Sequence, residues 1–320
     1  MRAMASGRGG AAGQAESEPL RHLLGIEPLA TGQIQTLLDA AAAFHAQAPP
    51  KLLAGRRVLL LFYEASTRTR TSFEVAARRL GAETVSITAA ASSIEKGESL
   101  LDTVYTLQAM AIDAIVMRHA DSGAPVLVAR HVEVPVINAG DGMHEHPTQA
   151  LLDAFTILRH KGRIAGLKVA IIGDILHSRV ARSNLWLLSR FGADVRLCGP
   201  PSLLPAGFAS FGPGVSVTHR LDQALQDADV VMVLRIQMER MREAFFPSEA
   251  EYVQLYSVTT ERLRLARPEA IVMHPGPMIR GVEIAAEVAD SPQSVIREQV
   301  ENGVLIRMAA LSRLLAGRAA

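Results

Sequence analysis

Short apolar runs rich in β-branched residues alternate along most of this chain with segments of helix length. The helical segments include 68–80, 98–109, 148–160 and 180–191. Apolar strands separated by helices are typical of βαβ units, in which a parallel sheet is covered by helices on both faces. We therefore predict an α/β fold. The predicted strands span 58–63, 84–87, 114–118, 134–138, 168–172, 194–198, 215–218, 230–234 and 270–273.

This number of strands is more than one small sheet usually holds, and 320 residues correspond to two domains of about 150 residues each. We expect two consecutive parallel-sheet α/β domains with helices on both faces, covering 19–147 and 148–303. An amphipathic helix at 31–46 opens the first domain, because its apolar residues recur at helical spacing. A last helix at about 304–316, within the C-terminal segment 304–320, is expected to pack back on the first domain.

Charge and composition exclude several classes of protein. Thirty-three basic and 32 acidic side chains leave a net charge of +1, which argues against a general nucleic-acid binder but permits a local basic pocket. The longest apolar runs, such as 58–62 and 230–234, are far shorter than the ~20 residues of a membrane span. The single cysteine, Cys198, excludes an internal disulfide framework and a cysteine-built zinc site. A reducing, cytoplasmic location fits this composition.

The first 18 residues are rich in glycine, alanine and serine and contain no apolar core of a secretory signal. We expect residues 1–18 to form a disordered leader.

The most informative motif follows the first predicted strand. Ser66-Thr67-Arg68-Thr69-Arg70 opens a predicted helix, and a helix N-terminus presents unpaired N–H groups and the positive end of the helix dipole. Arginines are unfavourable at that end unless an anion is bound, and their guanidinium groups match a phosphate dianion. The alternative is an ordinary serine or threonine cap with solvated arginines. The pattern favours an anion-binding site.

Other polar motifs also follow apolar strands, and in open α/β sheets ligands collect at the carboxyl ends of strands. This shared position indicates one site more strongly than any single motif does. The motifs are His146-Pro147-Thr148-Gln149, Gly173-Asp174 with Arg179, Arg235-Ile236-Gln237-Met238-Glu239-Arg240, and His274-Pro275-Gly276-Pro277. A polar loop, Ser92 to Glu98, precedes a helix and contains Lys96; taken alone it is typical of an ordinary capped loop.

His144 and His146 are two residues apart, but no third ligand of convincing spacing follows, so we expect no metal site. Pro147 suits the first position of a helix, which places His146 beside a helix N-terminus. A histidine there tends to stay neutral and can donate a hydrogen bond to a carbonyl oxygen.

Familiar catalytic signatures are missing from the sequence. Only Gly173 is glycine between 172 and 182, so the dinucleotide fingerprint is absent, and neither a Walker loop nor a G-x-S-x-G elbow occurs. The candidate site is rich in arginine, histidine, glutamine, threonine and lysine and poor in acids. Such a site suits anionic substrates and electrostatic stabilisation of a transition state.

These residues, together with Met117-Arg118-His119, give the chain a resemblance to the aspartate/ornithine carbamoyltransferase family from about Leu20 to its end. The Ser-Thr-Arg-Thr-Arg and His-Pro-Thr-Gln elements are shared by transcarbamoylases generally. The lysine loop and the Arg-x-Gln-x-Glu-Arg segment resemble the aspartate-specific members, whereas ornithine enzymes usually carry a cysteine where this chain has Pro275.

The resemblance implies transfer of a carbamoyl group from carbamoyl phosphate to L-aspartate, the committed step of pyrimidine synthesis. It also implies a homotrimer with shared active sites and no metal or other cofactor. Within the resemblance, such trimers can join a regulatory or a dihydroorotase-like subunit. Two rival functions are a transcarbamoylase with another amine acceptor such as ornithine, and a non-catalytic regulatory paralogue.

The resemblance also implies roles for individual residues. Ser66, Thr67, Arg68 and Thr69 would hold the phosphate, and Arg118, His146 and Thr67 would polarise the carbamoyl carbonyl. Gln149 and the backbone carbonyls of Pro275 and Gly276 would orient the carbamoyl amide, in a site that includes Pro277. Arg179, Arg235 and Gln237 would bind the aspartate carboxylates. Lys96, with Ser92, would reach this site from a neighbouring subunit and contact both the aspartate and the reacting groups.

The chain departs from the family pattern at a few positions. Glu95 precedes Lys96 where related chains often carry a small or basic residue, and Ile279 stands where many bacterial relatives carry asparagine. These departures concern the details of two loops, and the leader falls outside the family pattern.

Overall fold

Two parallel β-sheets form the framework of the protein. A computed structural model describes residues 20–88, 98–236 and 248–316. The first sheet has four strands in the order β2-β1-β3-β4, and the second has five in the order β7-β6-β5-β8-β9. The strands are β1 (Arg57–Phe62), β2 (Glu83–Thr88), β3 (Ala114–His119), β4 (Val136–Asp141), β5 (Lys168–Ile172), β6 (Asp194–Cys198), β7 (Val215–Thr218), β8 (Val230–Val233) and β9 (Ile271–Met273).

Helices connect most successive strands, because neighbouring parallel strands need a crossover connection between them. They are α1 (Thr31–Ala46), α2 (Thr67–Arg79), α3 (Leu100–Gln108), α4 (Ala124–Ala129), α5 (Pro147–Lys161), α6 (Arg179–Arg190), α7 (Leu221–Leu225), α8 (Glu249–Tyr256), α9 (Thr260–Leu263), α10 (Ala286–Ala289) and α11 (Ile296–Leu315), with a 3₁₀ turn at Ala206–Ser210. The predicted fold class is confirmed, and the predicted strands agree with the observed ones to within a few residues.

The central strand of each sheet pairs on both sides. Leu60 of β1 lies opposite Ser86 of β2 and Val116 of β3. Ile171 of β5 lies between Leu197 of β6 and Met232 of β8. In both sheets the chain leaves the central strand first to one side and later to the other, so a crevice opens at the carboxyl end of that strand.

Burial explains why these strands are apolar throughout. In β1 the side chains of Leu59 and Leu61 pack into a cluster on one face, while Leu60 and Phe62 belong to a larger cluster on the other. The larger cluster also contains apolar residues of α1, α2, α5, α6 and α11, together with one face of β5, so the two sheets share a continuous core. A third cluster covers the opposite face of the second sheet.

Two elements differ from the sequence prediction, and buried polar residues explain both differences. Strand β4 runs to Asp141, although Asn138 and Asp141 are typical of a loop; Asn138 Nδ2 donates to Asp141 Oδ1 at 2.7 Å, which satisfies both inside the protein. The last helix begins at Ile296, about eight residues before the predicted start near 304. Its first turns carry the buried amides of Gln299 and Asn302, which interrupt the apolar pattern.

Helix α11 lies against α1, α2 and α5. Arg307 of α11 donates from Nη1 to Ser72 Oγ of α2 at 2.8 Å, and its guanidinium carbon lies 5.2 Å from the centre of the Phe73 ring. These contacts hold the C-terminal helix against α2, which follows the first strand of the first sheet.

Among the described residues, no helix combines the length and the apolar character that a membrane crossing requires.

Candidate active site

A cavity of about 530 Å³ lies where the carboxyl ends of the two sheets face each other. Both halves of the chain contribute to its wall, and most of the contributing side chains are polar or basic. The wall includes Glu64, Ser66, Thr67, Arg68, Thr69, Arg118, His146, Gln149, Ser178, Arg179, Arg235, His274, Pro275, Gly276, Pro277, Gln299 and Arg307. The structure therefore brings together every predicted site residue that lies within the described ranges.

The first turn of α2 forms one wall of the cavity. Ser66 occupies the N-cap position, yet its hydroxyl makes no capping hydrogen bond, and the first turn contains no acidic residue. Burial, and secondarily the nearby charge of Arg235, lowers the pKa of the Arg68 guanidinium from its ordinary value. Two cations and a helix N-terminus facing one cavity form an environment that favours a bound dianion.

The loop after β9 passes close to Arg68. Gly276 has φ of +70°, and a Cβ atom at this position would lie 3.1 Å from Arg68 Nε. His274 shapes the loop, because its Nδ1 accepts the Gly276 N–H at 2.8 Å while its Nε2 lies 3.1 Å from Glu283 Oε1. Glycine at 276 thus allows the backbone of the loop after β9 to approach the Arg68 side chain.

Arg118 and Arg179 share a carboxylate. Arg118 Nη2 lies 2.9 Å from Glu64 Oε2, and Arg179 Nη2 lies 2.5 Å from the same oxygen. Gly140, with φ of +115°, leaves room for both guanidinium groups; a Cβ atom there would lie 2.9 Å from Arg179 Nε. Glu64 is thus an acidic residue in a site that was predicted to be poor in acids, and it lies between the two arginines.

His146 lies at the N-cap of α5, where its backbone N–H donates to Ser183 Oγ at 2.8 Å. Its side chain is buried, and Nδ1 has no hydrogen-bond partner in the described part of the chain. Burial, with the positive charges of Arg118, Arg307 and Arg179, holds the pKa of His146 well below its usual range. The imidazole is therefore neutral near pH 7, as expected from its position beside a helix N-terminus, and can act as a neutral hydrogen-bond donor.

Gln149, in the first turn of α5, lines the same cavity. Its Nε2 donates to Asp153 Oδ1 at 2.9 Å, which anchors the amide from behind. Arg179, at the start of α6, and Arg235, after β8, line the same cavity from the second sheet. The cavity thus combines the N-terminus of α2 with neutral and cationic hydrogen-bond donors, and both sheets contribute basic side chains to it.

Comparison with known proteins agrees with this geometry. Residues 21–159 match the family described as aspartate/ornithine carbamoyltransferase, carbamoyl-P binding domain, and residues 165–314 match its Asp/Orn binding domain. The aspartate carbamoyltransferase catalytic subunit of Solibacter usitatus is 58% identical over 92% of this chain and 98% of its own length. That of Gluconobacter oxydans is also 58% identical, over 93% of this chain and 96% of its own length. The chain belongs to the aspartate/ornithine carbamoyltransferase family.

Solved structures of this family share the fold. The aspartate transcarbamoylase of Trypanosoma cruzi, in complex with N-(phosphonacetyl)-L-aspartic acid, is 34% identical with a TM-score of 0.83 and covers 92% of this chain and 96% of that one. The ornithine carbamoyltransferase of Pyrococcus furiosus is 31% identical, with a TM-score of 0.84. The match covers 93% of this chain and 98% of the Pyrococcus chain. The fold alone therefore does not distinguish the two acceptors.

Two predicted residues of this carbamoyltransferase site, Lys96 and Gln237, lie outside the described residues, as do Ser92, Glu95 and the leader at 1–18. Their proposed contacts therefore remain predictions from the family resemblance.

The sequence patterns did not identify Glu64 and Arg307, which line the cavity, or Asp153, which lies behind it. Glu64 directly precedes the Ala-Ser-Thr-Arg element, and this position next to the predicted anion-binding motif could have identified it. Asp153 and Arg307 lie on α5 and α11 within apolar stretches, where a buried charge suggests a role in the interior. Only the packing of α11 against α2 and α5 brings Arg307 to the cavity.

One further group of potential metal ligands lies among the described residues: Glu27, His144 and Glu145. None of the three lines the cavity. The Glu145 carboxylate already accepts the Ile26 N–H at 2.8 Å and the Ser183 hydroxyl at 2.7 Å, so it joins the N-terminal segment to α6. These contacts give Glu145 a structural role.

Proposed function

We propose that this chain transfers the carbamoyl group of carbamoyl phosphate to the amino group of L-aspartate, giving N-carbamoyl-L-aspartate and phosphate. This reaction is the committed step of pyrimidine synthesis. The observation that carries the proposal is the meeting of the α2 N-terminus with Arg118, His146 and Arg179 in one cavity. The names of relatives at 58% identity support aspartate as the acceptor.

In the proposed reaction Ser66, Thr67, Arg68 and Thr69 hold the phosphate of carbamoyl phosphate. The aspartate amine attacks the carbonyl carbon, and negative charge develops on the carbonyl oxygen. Arg118, the neutral His146 and the Thr67 hydroxyl donate hydrogen bonds to that oxygen. Donors aligned in this way usually stabilise the transition state more than any other feature of an active site, and one donor contributes roughly 10²–10³ in rate.

Gln149 and the backbone of Pro275, Gly276 and Pro277 orient the carbamoyl amide, so that the carbonyl carbon faces the amine. Holding both substrates in one cavity removes translational entropy from a two-substrate step. The departing phosphate accepts the proton released by the amine. The protein itself then needs neither a general base nor a metal or other cofactor.

Arg179, Arg235 and Gln237 bind the two carboxylates of aspartate. Arginine forks bind carboxylates through two parallel hydrogen bonds, and their fixed charge repels the ammonium group of an ornithine side chain. Asparagine would leave one buried guanidinium unpaired, at a cost of roughly 3 kcal/mol or more, which is over a hundredfold in affinity.

The proposal extends to assembly and location. A cytoplasmic homotrimer would place Lys96 and Ser92 of one subunit at the cavity of the next, where Lys96 contacts the substrates. The resemblance to aspartate-specific members carries this part of the proposal.

An assay of the purified protein with carbamoyl phosphate and a panel of amino acids tests the function. We expect N-carbamoyl-L-aspartate from aspartate, little product from asparagine and almost none from ornithine. Product from ornithine at a comparable rate would establish the rival acceptor, and no product from any amine would favour a non-catalytic paralogue.

A further inference from the structure

A buried carboxylate lies directly behind the cavity. Asp153, in the middle of α5, has no solvent exposure. Its Oδ1 accepts hydrogen bonds from Gln149 Nε2 and Gln299 Nε2, each at 2.9 Å, and its Oδ2 accepts one from Asn184 Nδ2 at 2.8 Å. The three donors belong to α5, α11 and α6, so a single carboxylate joins the three helices that pack behind the site.

The bond to Asp153 determines which end of the Gln149 amide faces the cavity. A glutamine side chain has an N–H₂ donor on one side of its terminal carbon and a carbonyl acceptor on the other. Because Nε2 is bound to Asp153, the carbonyl oxygen is turned toward the cavity that Gln149 lines. The carbamoyl group of the proposed substrate ends in an N–H₂ donor, which requires an acceptor at this position.

A second chain of bonds leads from Asp153 to the loop after β9. Gln299 donates to Asp153 through Nε2 and accepts the backbone N–H of His274 through Oε1 at 2.8 Å. His274 Nδ1 in turn accepts the Gly276 N–H. The carbonyl groups of Pro275 and Gly276, the other acceptors proposed for the carbamoyl amide, thus depend on the same carboxylate.

The charge state of Asp153 suits this arrangement. Burial raises its pKa to about 6, while the three amide donors and the nearby Arg307 oppose that shift. Near pH 7 the carboxylate is therefore ionised and can only accept hydrogen bonds, so both glutamine amides must turn their N–H₂ groups toward it.

We propose that Asp153 is a positioning residue that sets the orientation of the Gln149 and Gln299 amides, and thereby makes the cavity selective for the N–H₂ group of a carbamoyl substrate. This inference rests on the proposed function. Acetyl phosphate is the informative probe, because it has the shape and phosphate of carbamoyl phosphate but a methyl group in place of N–H₂.

The experiment compares the KM for carbamoyl phosphate with the inhibition constant of acetyl phosphate. The preference for carbamoyl phosphate is the inhibition constant of acetyl phosphate divided by the KM for carbamoyl phosphate. In Asp153→Ala we expect this ratio to fall about tenfold, which corresponds to one good hydrogen bond. The binding of acetyl phosphate itself should be nearly unchanged. Asp153→Val also removes both acceptor oxygens, keeps more of the side-chain volume, and serves if the alanine variant does not fold. Thr156→Val is the matched control, because Thr156 also joins α5 to α11 but does not line the cavity. Its Oγ1 accepts a hydrogen bond from Asn302 Nδ2 at 2.9 Å.

A double-mutant cycle with Gln149→Leu completes the test. If Asp153 acts largely through Gln149, adding Asp153→Ala to Gln149→Leu should lower the preference less than it does in the wild type. An unchanged preference in the Asp153 variants, or an equal loss of affinity for both acyl phosphates, would overturn the inference. A wild-type protein that makes no carbamoyl aspartate would instead contradict the proposed function, so the two failures are distinguishable.

Discussion

Glu64 and Arg179 form an ion pair across the crevice between the two sheets, with 2.5 Å between Oε2 and Nη2. Glu64 follows β1 of the first sheet, and Arg179 begins α6 of the second. Because Arg118 binds the same oxygen, the carboxylate holds two guanidinium groups that would otherwise repel each other. We infer that Glu64 orients both arginines before substrates bind.

Glu64→Gln should therefore weaken the use of aspartate. The amide has the same size but loses two charge-assisted hydrogen bonds, each worth about 1.5–3 kcal/mol. We expect kcat/KM for aspartate to fall by roughly tenfold or more. Glu74→Gln is the control, since Glu74 forms an ion pair of 2.6 Å with Arg78 on the outside of α2. Identical aspartate saturation curves for wild type and Glu64→Gln would contradict the inference.

Arg118→Ala and His146→Ala should each reduce turnover far more than stability. Both side chains are proposed to donate to the carbonyl oxygen, so each loss is expected to cost roughly 10²–10³ in kcat. Steady-state kinetics and thermal melts of the same preparations measure the two effects. His131→Ala, which removes an exposed imidazole at the end of α4, should change neither. A variant with near-normal turnover would remove its residue from the mechanism.

Arg235→Lys should raise the aspartate concentration needed for half-saturation and leave that of carbamoyl phosphate nearly unchanged. Lysine keeps the charge but cannot form the two-point contact with a carboxylate. If Arg235 served only as a structural partner of Glu64 or Glu239, the variant would lose stability and keep its aspartate curve. Saturation curves for both substrates, measured beside a melting curve, separate the two outcomes.

Inactive chains should complement each other if subunits share active sites. Lys96→Ala and Arg68→Ala are each expected to be inactive as pure proteins. In a mixed trimer, some sites would combine an intact Lys96 from one subunit with an intact Arg68 from the other. Activity should therefore reappear after the two variants exchange subunits, and its absence after verified exchange would argue against a shared site.

Asp153 should make stability depend on pH. Burial raises its pKa to about 6 in the folded protein, above the value near 3.8 expected in the unfolded chain. Between these values the folded state binds more protons, so this residue makes stability fall as the pH rises from about 4 to 6. Asp153→Asn lacks this titration. From pH 4.5 to 7.5, the unfolding free energy of the wild type should fall by about 2 kcal/mol relative to the variant, measured by urea unfolding. If the difference in unfolding free energy between the wild type and Asp153→Asn stayed the same over this pH range, it would contradict the raised pKa of Asp153.

Local sequence patterns were enough to predict the fold class and many of the residues that line the cavity. Continuous apolar runs such as 58–62 and 168–172 are typical of strands buried on both faces, so periodicity and length indicated two parallel sheets. Because functional side chains of such sheets gather at the carboxyl ends of strands, His146, Arg179 and Arg235 could be predicted to meet, and the family resemblance added Arg118. The N-cap position of His146 likewise indicated its neutral state.

The pairing of polar groups within the site became visible only in the folded arrangement of the chain. Glu64 meets Arg118 and Arg179 from separate elements, and Asp153 meets Gln299 after a separation of 146 residues. The start of α11 could not be predicted for the same reason. Its buried Gln299 and Asn302 interrupt the apolar pattern, and both donate hydrogen bonds to residues of α5. Hydrophobic periodicity reports which face of an element is buried, whereas the partner of a buried polar group depends on how distant helices pack.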